Sequence, residues 1–403
     1  MSSSIATADP FQLGGISEPA DIETVARLVS LAFGGEMQGC RDWIKNSGLE
    51  NLRVMRDDRA GHVRLPSCML RIPMATFFGG RSVPLLGIAG VAVGPESRGQ
   101  GLGLKMMRAA VAEAAREGWA LSGLYASTQS LYRQVGFEQA GDRCEIALRL
   151  PTLGLRERGA AISPLTDADT DAVRACYTQF ARQFDGPLDR GAYIWNRIRA
   201  WREKVYQGFA TRNENGEIDG YLYLTQNRKD TGKFDIALSD FAATNADAFR
   251  RLLGFLADFA MMAELAIFHA GPHHPALMLL PQQSFTVKHH EFWMLRVLNV
   301  KQALEARGWP QGITGTAELE IRDDLVETNN GRFVVRVSGG AATVERGGSG
   351  AIAMDVRALA PLYTGLQDLR GLALAGLVNG SDAALEAASV VFRRGSPWTG
   401  DFY

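Results

Sequence analysis

Cysteine is scarce: Cys40, Cys68, Cys144 and Cys176 are the only four in 403 residues, and none are spaced as CxxC. That scatter argues against a zinc site and a disulfide framework, and it fits a reducing cytoplasm. A surplus of either charge is also missing. Forty-three basic and 44 acidic residues leave a net charge of −1, so no global field draws the chain to nucleic acid or a membrane surface. Long apolar runs are absent too. The stretch from Phe255 to Ile267 is broken by Asp258 and Glu264 and falls short of the roughly 20 residues a bilayer span needs. The opening MSSSIATADPFQ has no basic start and no apolar core, so no secretory signal is read there. The histidine pairs His273-His274 and His289-His290 lack metal spacing, because adjacent side chains diverge, and no metal is expected.

What is present is an ordinary globular composition, 46% hydrophobic and 22% charged, in a chain long enough for two to four domains. Two stretches read alike, ISEPADIETVARLV from Ile16 and ISPLTDADTDAVRAC from Ile162. At constant offset they match Ile16 with Ile162, Ser17 with Ser163, Asp21 with Asp167, Glu23 with Asp169 and Thr24 with Thr170. Each reads as a short strand, a turn with proline, acidic residues near a helix N-terminus, and a helix. The first two domains are thus expected to be copies of one fold, divided near Pro151. After about residue 300, ELEIRDD, NNGRFVVRVSGG, AATVERGGSG and AIAMDV read as short strands between NG and GG turns, followed by helical stretches.

The stretch LLGIAGVAVGPESRGQGLGLKMMRAAVAEAAREG carries the most chemistry. Leu85 to Val93 reads as a buried strand ended by Gly94 and Pro95. Beyond the loop, Leu104, Met107, Val111 and Ala114 recur at helical spacing. Between them lies Arg98-Gly99-Gln100-Gly101-Leu102-Gly103. Its glycines let backbone approach a ligand closely, and the free N–H groups of the next helix follow with the positive end of its dipole, which suits a pyrophosphate. The spacing excludes both GxGxxG and GxxxxGK[ST]. Downstream, LSGLYASTQSLYRQVGFEQAG reads as a strand through Leu124, a short helix with Tyr132, and a Y-x-x-x-G-F turn at Gly136 and Phe137.

The pattern R/Q-x-x-G-x-G/A between strand and helix, with the Y-x-x-x-G-F turn after it, resembles the acyl-CoA-binding fold of the GCN5-related N-acetyltransferases (GNAT). The whole layout resembles the Eis acetyltransferases: a catalytic GNAT domain at 1–150, a degenerate GNAT domain at 151–298, and a sterol-carrier-protein-like domain at 299–403 that closes on an aromatic residue. The fold class implied is α+β, mixed α/β, with tandem GNAT domains. The second copy has DIALSDFAATNADAFRR where the first has its loop. Thr244 and Asp247 are placed to cap that helix, but no glycine admits a phosphate, so this copy is expected to be silent.

The resemblance implies acetyl-CoA as co-substrate and a primary amine as acceptor, on an aminoglycoside-like small molecule or a lysine side chain. It also implies a homo-oligomer, a hexamer in this group, in the cytoplasm. By the same resemblance Val91, Ala92 and Val93 lie along the pantetheine arm, Arg98 through Leu104 (Gly99, Gln100, Gly101, Leu102, Gly103) wrap the pyrophosphate, and Ser127 and Thr128 lie nearby. Tyr132 is the expected acid for the departing thiolate, and Tyr125 is expected in the core. The chain ends SPWTGDFY, three aromatic residues in six, so the tail reads as docked. In the Eis group the terminal carboxylate is the base, which gives that role to Tyr403. Phe33, Glu36 and Asp401 are expected walls of an acidic acceptor pocket. The run IWNRIRAWREK, with Trp195, Trp201, Arg197, Arg199 and Arg202, reads as a helix with a wet basic face. The competing reading is a lipid-binding protein in which the acetyltransferase fold is vestigial.

Overall fold

The computed structural model describes residues 11–16, 18–58, 64–155, 159, 161–202 and 204–403. Most of the opening segment read above, and Ser17 of the repeat, lie outside the described residues.

The first copy runs β1 (Phe11–Gly14), α1 (Pro19–Phe33), α2 (Met37–Ser47), β2 (Leu52–Asp57), β3 (Arg64–Phe78), β4 (Arg81–Val93), α3 (Leu102–Arg116), β5 (Leu121–Tyr125), α4 (Gln129–Arg133) and β6 (Glu138–Arg149). Local signals account for the helices. Proline opens α1, Asp21 reaches back to the Glu18 N–H, and Gly34 ends it. In α3 the buried residues Met106, Met107, Ala110, Val111 and Ala114 form one stripe against the sheet. Strands β1 to β4 are antiparallel neighbours, and β5 joins β4 in parallel.

The second copy does not close on itself. Its last strand, Phe285–Val297, lies between β5 and β6, antiparallel to both. On its other side β6 pairs with Ala263–Ala270 of the second copy. Each copy therefore holds a strand of the other, and among the described residues the two share one sheet of thirteen strands. A cut near Pro151 divides the chain but not the sheet.

Three local expectations need correction. The helix Ala246–Ala257 is capped by the Asn245 side chain, which accepts from the Ala248 N–H at 2.8 Å, rather than by Thr244 or Asp247. In the repeat, helices follow both matched segments, but β1 ends ahead of Ile16, whereas Ser163 and Pro164 form a strand. The run IWNRIRAWREK is not one helix. Helix Ala192–Arg199 stops there, and Ala200–Trp201 pairs with Lys204–Val205 in a hairpin. Arg197 is half-buried, with its guanidinium 3.2 Å from the centre of the Trp201 ring, so that face is not wholly wet.

The third part has a five-stranded sheet with Gly315–Arg322 at its middle. Helix Val356–Thr364 packs on β6 and on Phe285–Val297. A fully buried ion pair links it to the first two: Arg296, on the exchanged strand, donates to both carboxylate oxygens of Asp323 at 2.7 Å. No described helix is long and apolar enough to cross a membrane.

Removing one partner of such a pair strands a buried charge. Asp323→Ala is expected to cost about 3–5 kcal/mol in denaturant unfolding, whereas replacing both partners by apolar residues of similar volume recovers most of that. An unchanged midpoint for Asp323→Ala would show that the pair does not hold the parts together.

Candidate active site

The site begins where β4 and β5 part. They pair only from Leu85 with Leu121 to Ile88 with Leu124. From Ala89 to Val93, β4 has no strand partner on that side among the described residues. The parting coincides with a bulge: Cys68 pairs with Ala92 and Leu70 with Ala89, so Gly90 and Val91 together face Met69. Gly90 has φ +59, and a Cβ there would lie 2.6 Å from the Trp43 ring of α2. Below the cleft, Gly101 caps α3 in the left-handed region and no side chain caps the helix. The first intrahelical bond is from the Lys105 N–H to Gly101 O, so the N–H groups of Leu102, Gly103 and Leu104 lack backbone partners. A Cβ on Gly99 or Gly101 would meet nothing within 4 Å. This open loop, with N–H groups on a helix dipole, fits a pyrophosphate.

The two candidate tyrosines lie on opposite faces of the sheet. Tyr132 packs with Leu86, Ile88, Leu124 and Phe137, on the α3 side. Gly136, at φ +84, closes the short helix so that the Phe137 N–H returns to Tyr132 O. Behind the turn lies the Arg296 guanidinium, 2.7 Å from where a Gly136 Cβ would be. Burial pushes the Tyr132 phenol up to about 12. The Tyr403 ring lies on the other face, with Leu85, Leu121 and Trp293. Gly87 and Gly123, directly paired across β4 and β5, leave the space it fills: their Cβ atoms would stand 3.1 Å from the ring and 2.8 Å from its hydroxyl. The Trp293 indole N–H donates to that hydroxyl at 2.7 Å. Burial holds the Tyr403 phenol well above its ordinary value.

Ahead of that ring, the tail crosses both copies. The Asp142 N–H donates to Pro397 O, and the Trp398 N–H to Asp185 O. Trp398 packs against Phe180, Phe184 and His274 of the second copy. The Asp401 carboxylate pairs at 2.8 Å with Arg190, whose other partner is Asp240. Burial still holds the Asp401 carboxyl above its usual range against the pull of Arg190. The Tyr125 hydroxyl donates to Asp401 O at 2.7 Å, and Arg143 donates to Gly400 O at 3.1 Å. Tyr125 also contacts the Phe402 and Tyr403 rings.

Comparison with known proteins agrees with this geometry. Residues 17–140 and 186–297 each match an acetyltransferase (GNAT) domain profile, and residues 300–400 match a sterol carrier protein domain. A GCN5-related N-acetyltransferase from Anabaena variabilis is 30% identical, with a TM-score of 0.92 over 98% of this chain and 100% of its own. The chain belongs to the GCN5-related N-acetyltransferases. Its layout is Eis-like, and it is an N-acetyltransferase. N-acetyltransferase Eis of Mycobacterium tuberculosis is 26% identical over 318 residues, 75% of this chain and 76% of that protein. Eis1 from Mycobacterium abscessus, 21% identical, shares the fold with a TM-score of 0.78 over 98% of this chain and 100% of its own.

In this GNAT enzyme, acetyl-CoA is the implied co-substrate, and the open loop and the unpaired β4 edge suit it. Ser127 and Thr128 are exposed just past the end of β5. Phe33 ends α1 with 54% of its surface exposed, and Glu36 is exposed at the start of α2. Among the described residues, neither has a ring contact or hydrogen bond with the tail. Asp401 lies beside the site but is engaged by Arg190, so it is not a free acidic wall. Trp43, Tyr125, Arg143, Arg190 and Trp293 were missed as site residues. The glycines within strands, Gly87 and Gly123, were the signal available for the ring's seat; nothing local marks Arg190. Glu145, His269 and His290, from three neighbouring strands, bring their ligand atoms within 4.8 Å of one another, and burial with Arg143 pushes His269 down to about 3.

Gly123→Ala is expected to expel the Tyr403 ring from its seat while leaving the GNAT loop intact. Release of C-terminal residues by carboxypeptidase would report it: slow from the native chain, fast from the variant. Equal rates would mean that the ring is not held there.

Proposed function

We propose that this enzyme acetylates a primary amine by direct attack within a ternary complex, with Tyr132 as acid and the Tyr403 α-carboxylate as base. The observation that carries the reading is the placement of Tyr132 and Tyr403 on opposite faces of the same β4–β5 parting. Acetyl-CoA supplies an acetyl group activated as a thioester. The edge of β4 at Val91, Ala92 and Val93 and the loop Arg98 to Leu104 hold it, with Ser127 and Thr128 at the rim. The Tyr403 carboxylate takes a proton from the attacking amine through water. As the C–N bond forms and the C–S bond breaks, the Tyr132 hydroxyl gives a proton to the departing sulfur; the phenol then regains a proton from solvent, and the carboxylate releases the amine's proton to solvent. The products are an N-acetyl amide and free CoA thiol, so atoms and charge balance.

Among the described residues, the Tyr132 hydroxyl has no hydrogen-bond partner in the protein, which suits a donor awaiting the sulfur. An α-carboxyl ordinarily titrates near a pKa of about 3.5, a poor match to an amine, so the role requires burial or nearby acids such as Asp401 to raise it. The acceptors the resemblance implies, aminoglycoside-like molecules and lysine side chains, share the primary amine this chemistry needs.

CoA-thiol release tests the roles. Deleting Tyr403 and, separately, Tyr132→Phe are each expected to lower kcat by about 10²–10⁴-fold while acetyl-CoA still binds. An undiminished rate without Tyr403 would make the tail an anchor only. The pH dependence has a definite sign: a phenol raised to about 12 stays protonated below that value, so kcat shows no alkaline fall from Tyr132 across the neutral and mildly basic range. A fall near the ordinary phenol value of about 10 would contradict its burial.

A further inference from the structure

The tail-bearing face of the sheet holds a cation with no counter-ion among the described residues. Arg197, in helix Ala192–Arg199, is half-buried, and one of its nitrogens donates to the Tyr193 hydroxyl at 3.0 Å. Its guanidinium stacks 3.2 Å from the centre of the Trp201 ring and stands 5.7 Å from that of Phe402. Among the described residues, no carboxylate lies within ion-pair distance of it. Asp401, whose charge acts on it, is already committed to Arg190. A second cation, Arg202, stands 5.6 Å over the same Trp201 ring, and its φ of +55 makes it the one non-glycine residue in the left-handed region among those described. Two like charges on one ring, one of them carried by a strained residue, are an arrangement that folding alone does not favour.

This cation borders the proposed acceptor position. Phe402 is the residue before Tyr403, and Trp43, which lies over the Gly90 bulge of β4, donates from its indole to the Tyr193 hydroxyl at 3.0 Å. Trp43, Tyr193 and Trp201 are each only partly buried and Phe402 is exposed, so the guanidinium stands among aromatic surfaces that solvent reaches. Burial lowers the Arg197 pKa, and the Tyr193 hydroxyl opposes the shift only in part. An incoming anion would supply the charge-assisted partner that the protein does not.

We propose that the acceptor of this acetyltransferase is an amine that also carries an anion, such as a carboxylate, and that Arg197 is the residue that binds that anion. The aromatic rings around it seat an apolar or aromatic side group of the same molecule. This rests on the acetyl-transfer reading above, and it narrows the acceptor from any primary amine to an amino acid-like molecule. An aminoglycoside, with many positive charges and no anion, is disfavoured beside the Arg197 and Arg202 guanidinium groups.

The test compares phenylalanine, phenethylamine and 1-amino-2-phenylethylphosphonate as acceptors at saturating acetyl-CoA, in the native chain, Arg197→Gln and Arg197→Lys. In the native enzyme, kcat/KM is expected to be at least about 10-fold higher for an anionic amine than for phenethylamine, the scale of one charged hydrogen-bonded contact. Arg197→Gln abolishes that ratio and Arg197→Lys restores part of it. A ratio highest for phenylalanine assigns a carboxylate, and one highest for the phosphonate assigns a phosphate-like group. A native preference for phenethylamine, or a ratio unchanged in Arg197→Gln, overturns the proposal. If no amine turns over, calorimetric binding of the same compounds separates the two readings. Anion-dependent binding lost in Arg197→Gln keeps the anion site while the acetyl-transfer roles fall; binding indifferent to Arg197 removes the anion site as well.

Discussion

The exchanged strand Phe285–Val297 is the constraint on which the rest of the structure depends. By entering between β5 and β6 it makes one sheet of what the repeat suggests are two. It then carries Trp293 to the Tyr403 ring, Glu291 to Arg143, and Arg296 to the third domain. Three functions that appear separate in sequence are thus placed by a single register. Because side chains alternate along a strand, Trp293 and Arg296 fall on opposite faces, one supporting the tail and the other backing the turn of Tyr132.

That alternation gives the site its chemical logic. A sheet that splits admits a ligand from one face and another ligand from the opposite face, and the only common point is the parting itself. The glycine-rich loop and Tyr132 lie on the α3 face, and the Tyr403 ring lies on the other. Two facing glycines remove the side chains that would otherwise fill the crossing point, so Tyr403 completes a gap that the first copy leaves open. The second copy lacks a phosphate loop but is not idle. Its Arg190 and its aromatic cage around Trp398 hold the tail, and its helix supplies Arg197.

The buried charges divide by whether they are matched. Arg296 with Asp323, and Arg190 with Asp240 and Asp401, are paired and fix how the parts meet. Arg197 has only a hydroxyl and aromatic rings. In a low-dielectric setting an unmatched guanidinium is costly, and its place beside Phe402 links that cost to binding rather than to assembly.

By itself the sequence determined whatever depends on neighbours along the chain. The strand, glycine loop and helix of 85–116, the Y-x-x-x-G-F turn and the alternating strands after residue 300 are short-range patterns, because φ/ψ limits and periodic burial act over a few residues. It also marked the tail as docked, since terminal aromatic residues rarely stay in solvent. Tertiary structure alone decided the strand exchange, because Phe285–Val297 has the same alternation whether it pairs with its own copy or the other. It likewise decided that Asp401 is neutralised, that Tyr125 holds the tail as well as packing against the core, and that Arg197 is left without a carboxylate among the described residues. Each of those is a contact between residues more than 130 positions apart, or the lack of one, and no local pattern encodes the partner of a buried charge.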